Sequence, residues 1–202
     1  MARHSGADMK AARRKPPAPF VVDVSRLGRR PGSLMQLHEQ RTNPARIGLD
    51  LVAIPVDAAV ELDLRVESVS EGVLVTGVVS ALTDGECARC LQPVTGDIEV
   101  ELTELFAYPD SATDATTDED DMGRVVDDTV DLEQVIVDAV GLALPLSPLC
   151  APDCPGLCPD CGAALATAEP DHHHDKIDPR WAKLAGMVAS QEETGRSDDG
   201  ER

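Results

Sequence analysis

The residues of this 202-residue chain best suited to chemistry are its six cysteines, and four of them fall at metal-ligand spacing. Cys87-Ala88-Arg89-Cys90 and Cys158-Pro159-Asp160-Cys161-Gly162 are C-x2-C pairs with 67 residues between them. In such a pair both thiolates can face one ion, backbone N–H groups of the turn point at sulfur, and a following glycine relieves crowding. Four thiolates close a tetrahedral shell, which marks a structural zinc rather than a catalytic one. We therefore expect Cys87, Cys90, Cys158 and Cys161 to hold one structural Zn2+. Closing the long loop between the pairs costs roughly a few kcal/mol. Structural zinc contributes on the order of 10–16 kcal/mol in small peptides, so binding outweighs closure.

Cys150 and Cys154 extend the second pair into C-x3-C-x3-C-x2-C over 150–161, a cluster able to bind a metal without the first pair. That arrangement orphans Cys87 and Cys90, so Cys154 is read as the substitute ligand and Cys150 as a buried residue. His172, His173 and His174 with Asp175 have no paired acid or nucleophile at a recognisable spacing. They read as a polar loop that offers at most one auxiliary ligand. A redox role for either C-x2-C lacks the strand and helix context of a thioredoxin-type site.

The elements that must carry these residues follow from hydrophobic periodicity. Val60, Leu62, Leu64 and Val66 alternate with Glu61, Asp63, Arg65 and Glu67, giving a strand with one apolar and one wet face. Ser70-Glu71-Gly72 reads as a hairpin turn, Val73 to Val79 as the return strand into Cys87, and Ile98, Val100 and Leu102 as a further strand. Phe20, Val22 and Val24 predict a short strand before the turn-rich Arg29-Arg30-Pro31-Gly32. Leu132, Val135, Ile136, Ala139, Val140 and Leu142 recur at helical spacing, with Asp131 or Thr129 as N-cap and Pro145 as the stop. A second helix is expected from Pro179, with Trp181, Leu184, Ala185 and Val188 on one face. The fold class is α+β: an antiparallel β-rich core, one or two C-terminal helices and a zinc-knuckle site.

Charge divides the chain. Residues 1–46 carry ten Lys or Arg against three acidic residues, whereas the whole chain has a net charge of −19. Residues 1–19, basic and proline-containing, read as a disordered arm, and 191–202 as a polar tail. Between them, 20–190 reads as a single domain, with 109–128 an acidic flexible insertion. An acidic body repels phosphate, so nucleic-acid or partner contact is expected at Arg13, Arg14, Lys15, Arg29 and Arg30. With only four aromatic residues, base-specific stacking on single-stranded RNA is not expected. There is no run of about 20 apolar residues and no secretory signal, so a cytoplasmic location is expected. Reducing conditions there argue against disulfides.

Several blocks, taken together, resemble the YceD-like family of large ribosomal RNA subunit accumulation proteins, in an actinobacterial form. They are CARCL at 87–91, LALP at 142–145, the PLC that follows, DCPGLCPDCG ending at Gly162, and IDPRWAKL at 177–184. The resemblance runs from about Phe20 to Val188 and implies a bacterial cytoplasmic factor needed for normal levels of large-subunit ribosomal RNA. A His-rich stretch stands here where some members carry further cysteines.

The function expected is that of a non-enzymatic, zinc-binding factor in ribosome assembly. Its partner would be precursor ribosomal RNA or a large-subunit ribosomal protein, with no membrane and no small-molecule substrate involved. The alternative is an acidic interaction module or chaperone for a basic ribosomal protein, acting on RNA only indirectly. A metal hydrolase would need an open coordination position or an aimed carboxylate cluster, and the sequence has no such motif.

Overall fold

Five strands of unequal length assemble antiparallel with one long central strand, and in the long strands alternating apolar residues give a face that must leave water. In the computed structural model, which describes residues 18–109, 111–118, 122–174 and 180–181, the chain runs through β1 (Val21–Asp23), β2 (Leu34–Thr42), β3 (Ile47–Gly48), β4 (Val52–Ile54), β5 (Ala59–Ser68), β6 (Gly72–Glu86) and β7 (Pro93–Ala107). It continues through α1 (Ala112–Thr116), β8 (Thr129–Asp131) and α2 (Glu133–Ala143). The large sheet has the order β2-β5-β6-β4-β3, with β7 also paired to β6; β1 and β8 form a separate two-stranded sheet. This is an α+β architecture.

Register explains the burial. Opposite one another in the rows Leu62↔Val79↔Val100 and Val60↔Ala81↔Ile98, side chains of β5, β6 and β7 face the same side and are all buried. On that side lie Ile136 and Val140 of α2, together with Leu132, Val22 and Val130, fully or almost fully buried. The hairpin read at Ser70-Glu71-Gly72 is present, closed by the Val69 N–H donating to the Gly72 carbonyl at 2.9 Å. α2 starts where Asp131 Oδ1 accepts from the Glu133 N–H at 2.9 Å, and it ends at Ala143 with Leu144 as its C-cap just before Pro145. Leu142, expected on its apolar face, is instead 89% exposed, because two residues carry it about 200° around the helix from the buried Val140.

The chain forms two compact units, Met1–Cys154 and Pro155–Arg202. The acidic segment 109–128 carries structure wherever it is described. Ser111 caps α1 by accepting from the Asp114 N–H, the Glu71 carboxylate accepts from Thr113, Arg124 pairs with Asp114 at 2.6 Å, and Val125 is buried. Those polar partners hold it together with the buried Val125. β2 was not legible, since only Leu37 of its nine residues is buried. The expected basic arm lies outside the described residues except for Ala18 and Pro19, and the tail lies wholly outside them. So does the expected second helix, apart from Arg180 and Trp181; Trp181 is 58% exposed. No described helix is long and apolar enough to cross a membrane.

Candidate metal centres

The β6–β7 connection is short because it is a thiolate turn. Cys87 donates its N–H to the Gln92 carbonyl at 2.8 Å, and Leu91 donates back to the Cys87 carbonyl at 2.9 Å. To close that turn Leu91 takes φ 59°, a left-handed conformation that side chains other than glycine rarely adopt. The same lattice recurs at the second pair. The Cys158 N–H donates to the Ala163 carbonyl and the Gly162 N–H to the Cys158 carbonyl, both at 2.8 Å, with Gly162 at φ 73°. Both C-x2-C motifs therefore form knuckles of one geometry, in which both sulfurs can point to a common centre.

Each knuckle has its own companions. Beyond α2 the chain returns past the first knuckle, where the Ala88 N–H donates to the Pro148 carbonyl at 2.8 Å. That bond fixes the segment that follows, and Arg89 Nη1 donates to the Cys154 carbonyl at 2.9 Å. As a result Cys150 and Cys154 complete a quartet with Cys87 and Cys90, all four sulfurs lying within 4.8 Å of one another. Cys158 and Cys161 form a second quartet with His172 and His174 at the same limit. Sequence reasoning grouped Cys87, Cys90, Cys158 and Cys161 around one ion; the structure gives the two knuckles different partners. Cys154 does join the first knuckle, and Cys150, read as a buried residue, is an exposed fourth member. The C-x3-C spacing at 150–154 was the available signal.

The distances test whether the donors suit a metal. Metal–sulfur bonds of about 2.3 Å in a tetrahedron place sulfurs about 3.8 Å apart. Cys87 Sγ and Cys154 Sγ are 3.8 Å apart, and Cys90 Sγ and Cys150 Sγ 3.6 Å. Both separations are far beyond a disulfide bond of about 2.05 Å, and all six cysteines are free. For a mixed shell, sulfur and nitrogen should stand about 3.6 Å apart and two nitrogens about 3.4 Å. Cys161 Sγ lies 3.5 Å from His172 Nε2, which lies 3.2 Å from His174 Nε2. His173, by contrast, places Nδ1 2.6 Å from the Asp171 carbonyl and is not in the quartet. Each quartet fits a four-coordinate ion.

Electrostatics favour thiolate at one member of each knuckle. The Cys87 thiol is lowered to about 6, chiefly by the backbone N–H of Cys150 and further by those of Arg89 and Cys90, against the opposing effect of burial. Cys158 is also lowered to about 6, by the N–H groups of Cys161 and Asp160 and then by His172. Cys150 is pushed up to about 12 by hydrogen bonding to the Cys154 and Cys90 side chains and by burial. Binding of a cation to thiolates releases the thiol protons, so metal affinity at either quartet would depend on pH.

Of the basic residues expected to contact nucleic acid, Arg13, Arg14 and Lys15 lie outside the described residues. Arg29 and Arg30 are exposed, and the Arg29 guanidinium lies 5.0 Å from the Tyr108 ring centroid, a cation–π contact within the fold.

This strand-rich α+β protein carries two knuckle-based quartets of soft and borderline donors that could each hold a metal ion, and its cysteines are free rather than disulfide-bonded. Residues 75–187 match the family described as "Large ribosomal RNA subunit accumulation protein YceD". An uncharacterized protein of Mycobacterium tuberculosis is 62% identical over 198 residues, covering 98% of this chain and 94% of its own length. One from Mycobacterium leprae is 55% identical over 185 residues, covering 92% and 85% respectively. No solved structure matches the chain. This chain belongs to the YceD family.

Proposed function

We propose that this protein is a non-enzymatic, zinc-stapled factor that supports accumulation of large-subunit ribosomal RNA and assembly of the large subunit in the cytoplasm. Family membership supports the ribosomal part of this reading, since the family is described by that accumulation. The quartet of Cys87, Cys90, Cys150 and Cys154 supports the structural part. Four protein donors at tetrahedral spacing fill a zinc shell and leave no position for water or substrate. A zinc ion held there joins the β6–β7 turn to the segment after α2, and it supplies folding free energy rather than a nucleophile.

Depletion of the protein in cells, with complementation by wild type or by Cys90→Ser, tests the proposal. The expected result is a fall in large-subunit relative to small-subunit ribosomal RNA that wild type restores and Cys90→Ser does not. Unchanged ribosomal RNA on depletion would overturn it.

A second reading, an interaction module for a basic ribosomal protein, draws on the sheet's outer side. Sequence register lines up His38↔Asp63↔Val78↔Glu101 and Gln40↔Glu61↔Ser80↔Glu99, so exposed carboxylates of β5 and β7 flank a small, uncharged strip of β6. Such a face attracts cationic chains and repels phosphate. Affinity purification with and without ribonuclease separates the readings. Recovery of one ribosomal protein that survives ribonuclease favours the module, and loss of all ribosomal material favours RNA contact.

A further inference from the structure

The segment 155–174 has too little apolar material to fold by burial. Among its described residues only Gly156 and Cys158 are buried, while Leu157 and Leu165 are half-buried. Its backbone is nonetheless organised. Leu157 bridges Ala164, Leu165 donates to the Gly156 carbonyl at 2.9 Å, and His172 donates to the Glu169 carbonyl at 2.9 Å. The last of these turns fixes the chain just where two imidazoles converge on the knuckle, their rings edge to face with centroids 4.8 Å apart. Small units without a core need a metal or a crosslink to hold one conformation.

We propose that Cys158, Cys161, His172 and His174 form a second zinc centre, complete without the first, that holds segment 155–174 together and exchanges its ion more readily than the Cys87, Cys90, Cys150 and Cys154 centre. The spacing of its donors carries the first part: the sulfur–nitrogen and nitrogen–nitrogen separations match a mixed tetrahedral shell. Burial carries the second. Three of the four ligands of the first centre are buried, whereas in the second only Cys158 is, with Cys161 and His174 exposed and His172 intermediate. Water and competing chelators reach an exposed ligand directly, and a knuckle with no core around it opens without disrupting other packing. The consequence is a chain that keeps its sheet-bound ion while the second segment orders or loosens with zinc supply. This inference stands apart from the ribosomal reading.

The test uses the full chain, purified under reducing conditions with zinc present. Metal content is measured first, and then zinc release to a colorimetric chelator is followed over time. Two ions per chain and two release phases are expected. His172→Ala and Cys161→Ser should each lose one ion and the fast phase alone, and His173→Ala should keep both. Cys90→Ser should abolish the slow phase. One ion in the wild type, a single release phase, or retention of both ions by His172→Ala would overturn the proposal. Proton–nitrogen correlation spectra provide a readout independent of metal counting. In His172→Ala, signals of 155–174 should collapse to coil positions while those of the β-sheet residues persist; unchanged signals of that segment would also contradict it.

Discussion

Leu91 occupies in the first knuckle the position that Gly162 occupies in the second: each follows its C-x2-C, donates to the carbonyl of the first cysteine, and lies at positive φ. Leucine bears a strain there that glycine does not, on the order of 1–2 kcal/mol. Its side chain is 55% exposed and contributes little burial in return. Part of the gain from a glycine would be offset by its greater freedom in the unfolded chain, about 0.5–1 kcal/mol. Leu91→Gly should therefore raise the stability of the zinc-loaded protein by roughly 0.5–1 kcal/mol, measured by denaturant unfolding. Conversely, Gly162→Val should weaken metal retention at the second knuckle.

Gly77 lies in mid-strand on β6 at φ 148°, paired with Leu64. A Cβ there would sit 2.1 Å from the Asp63 carbonyl oxygen and 2.8 Å from the Leu64 Cα, both backbone atoms of the neighbouring strand. Gly77→Ala should therefore force β5 and β6 apart and destabilise by about 1–3 kcal/mol. Urea unfolding would measure this, and an unchanged midpoint would show that the strands can yield.

The hydroxyls of Ser68 and Tyr108 are 2.8 Å apart in a buried setting where β5 ends. Tyr108→Phe keeps the ring beneath Arg29 but removes a partner from Ser68. A loss of roughly 1–2 kcal/mol is expected, the usual cost of an unsatisfied buried hydroxyl. Tyr108→Phe combined with Ser68→Ala should recover part of it.

The longest strands were legible in the sequence because burial enforces period two. β5 alternates without interruption from Val60 to Ser68, and β7 does so from Ile98 to Leu102. β2 hides because it is a sheet edge whose side chains mostly face water, and β3, β4 and β8 are too short to show a period. At the metal centres the knuckles were legible as local spacing, but the choice of partners was not. It depends on the return of the chain after α2, fixed by the bond from Ala88 to Pro148, and on a turn at Glu169 that brings His172 to Cys161. The C-x3-C spacing at 150–154 marked a possible ligand pair, but not which knuckle it would join. Leu91 adopts a conformation that its residue type argues against, which only the geometry of the turn reveals.

Removing zinc with a strong chelator under reducing conditions should lower the thermal midpoint of the sheet unit, because an ion held by Cys87, Cys90, Cys150 and Cys154 would tie the β6–β7 turn to residues 150–154. Re-adding zinc should restore it. Protein in which Cys150 is changed to Ser should show a lower midpoint with zinc and a smaller response to chelator than wild type.

Zinc-edge X-ray absorption on the Cys161→Ser variant reads the first centre with the second disabled. Coordination by Cys87, Cys90, Cys150 and Cys154 predicts a shell of four sulfurs at about 2.3 Å with no nitrogen or oxygen scatterer. A shell of three sulfurs, one containing light atoms, or a protein without zinc would contradict the assignment.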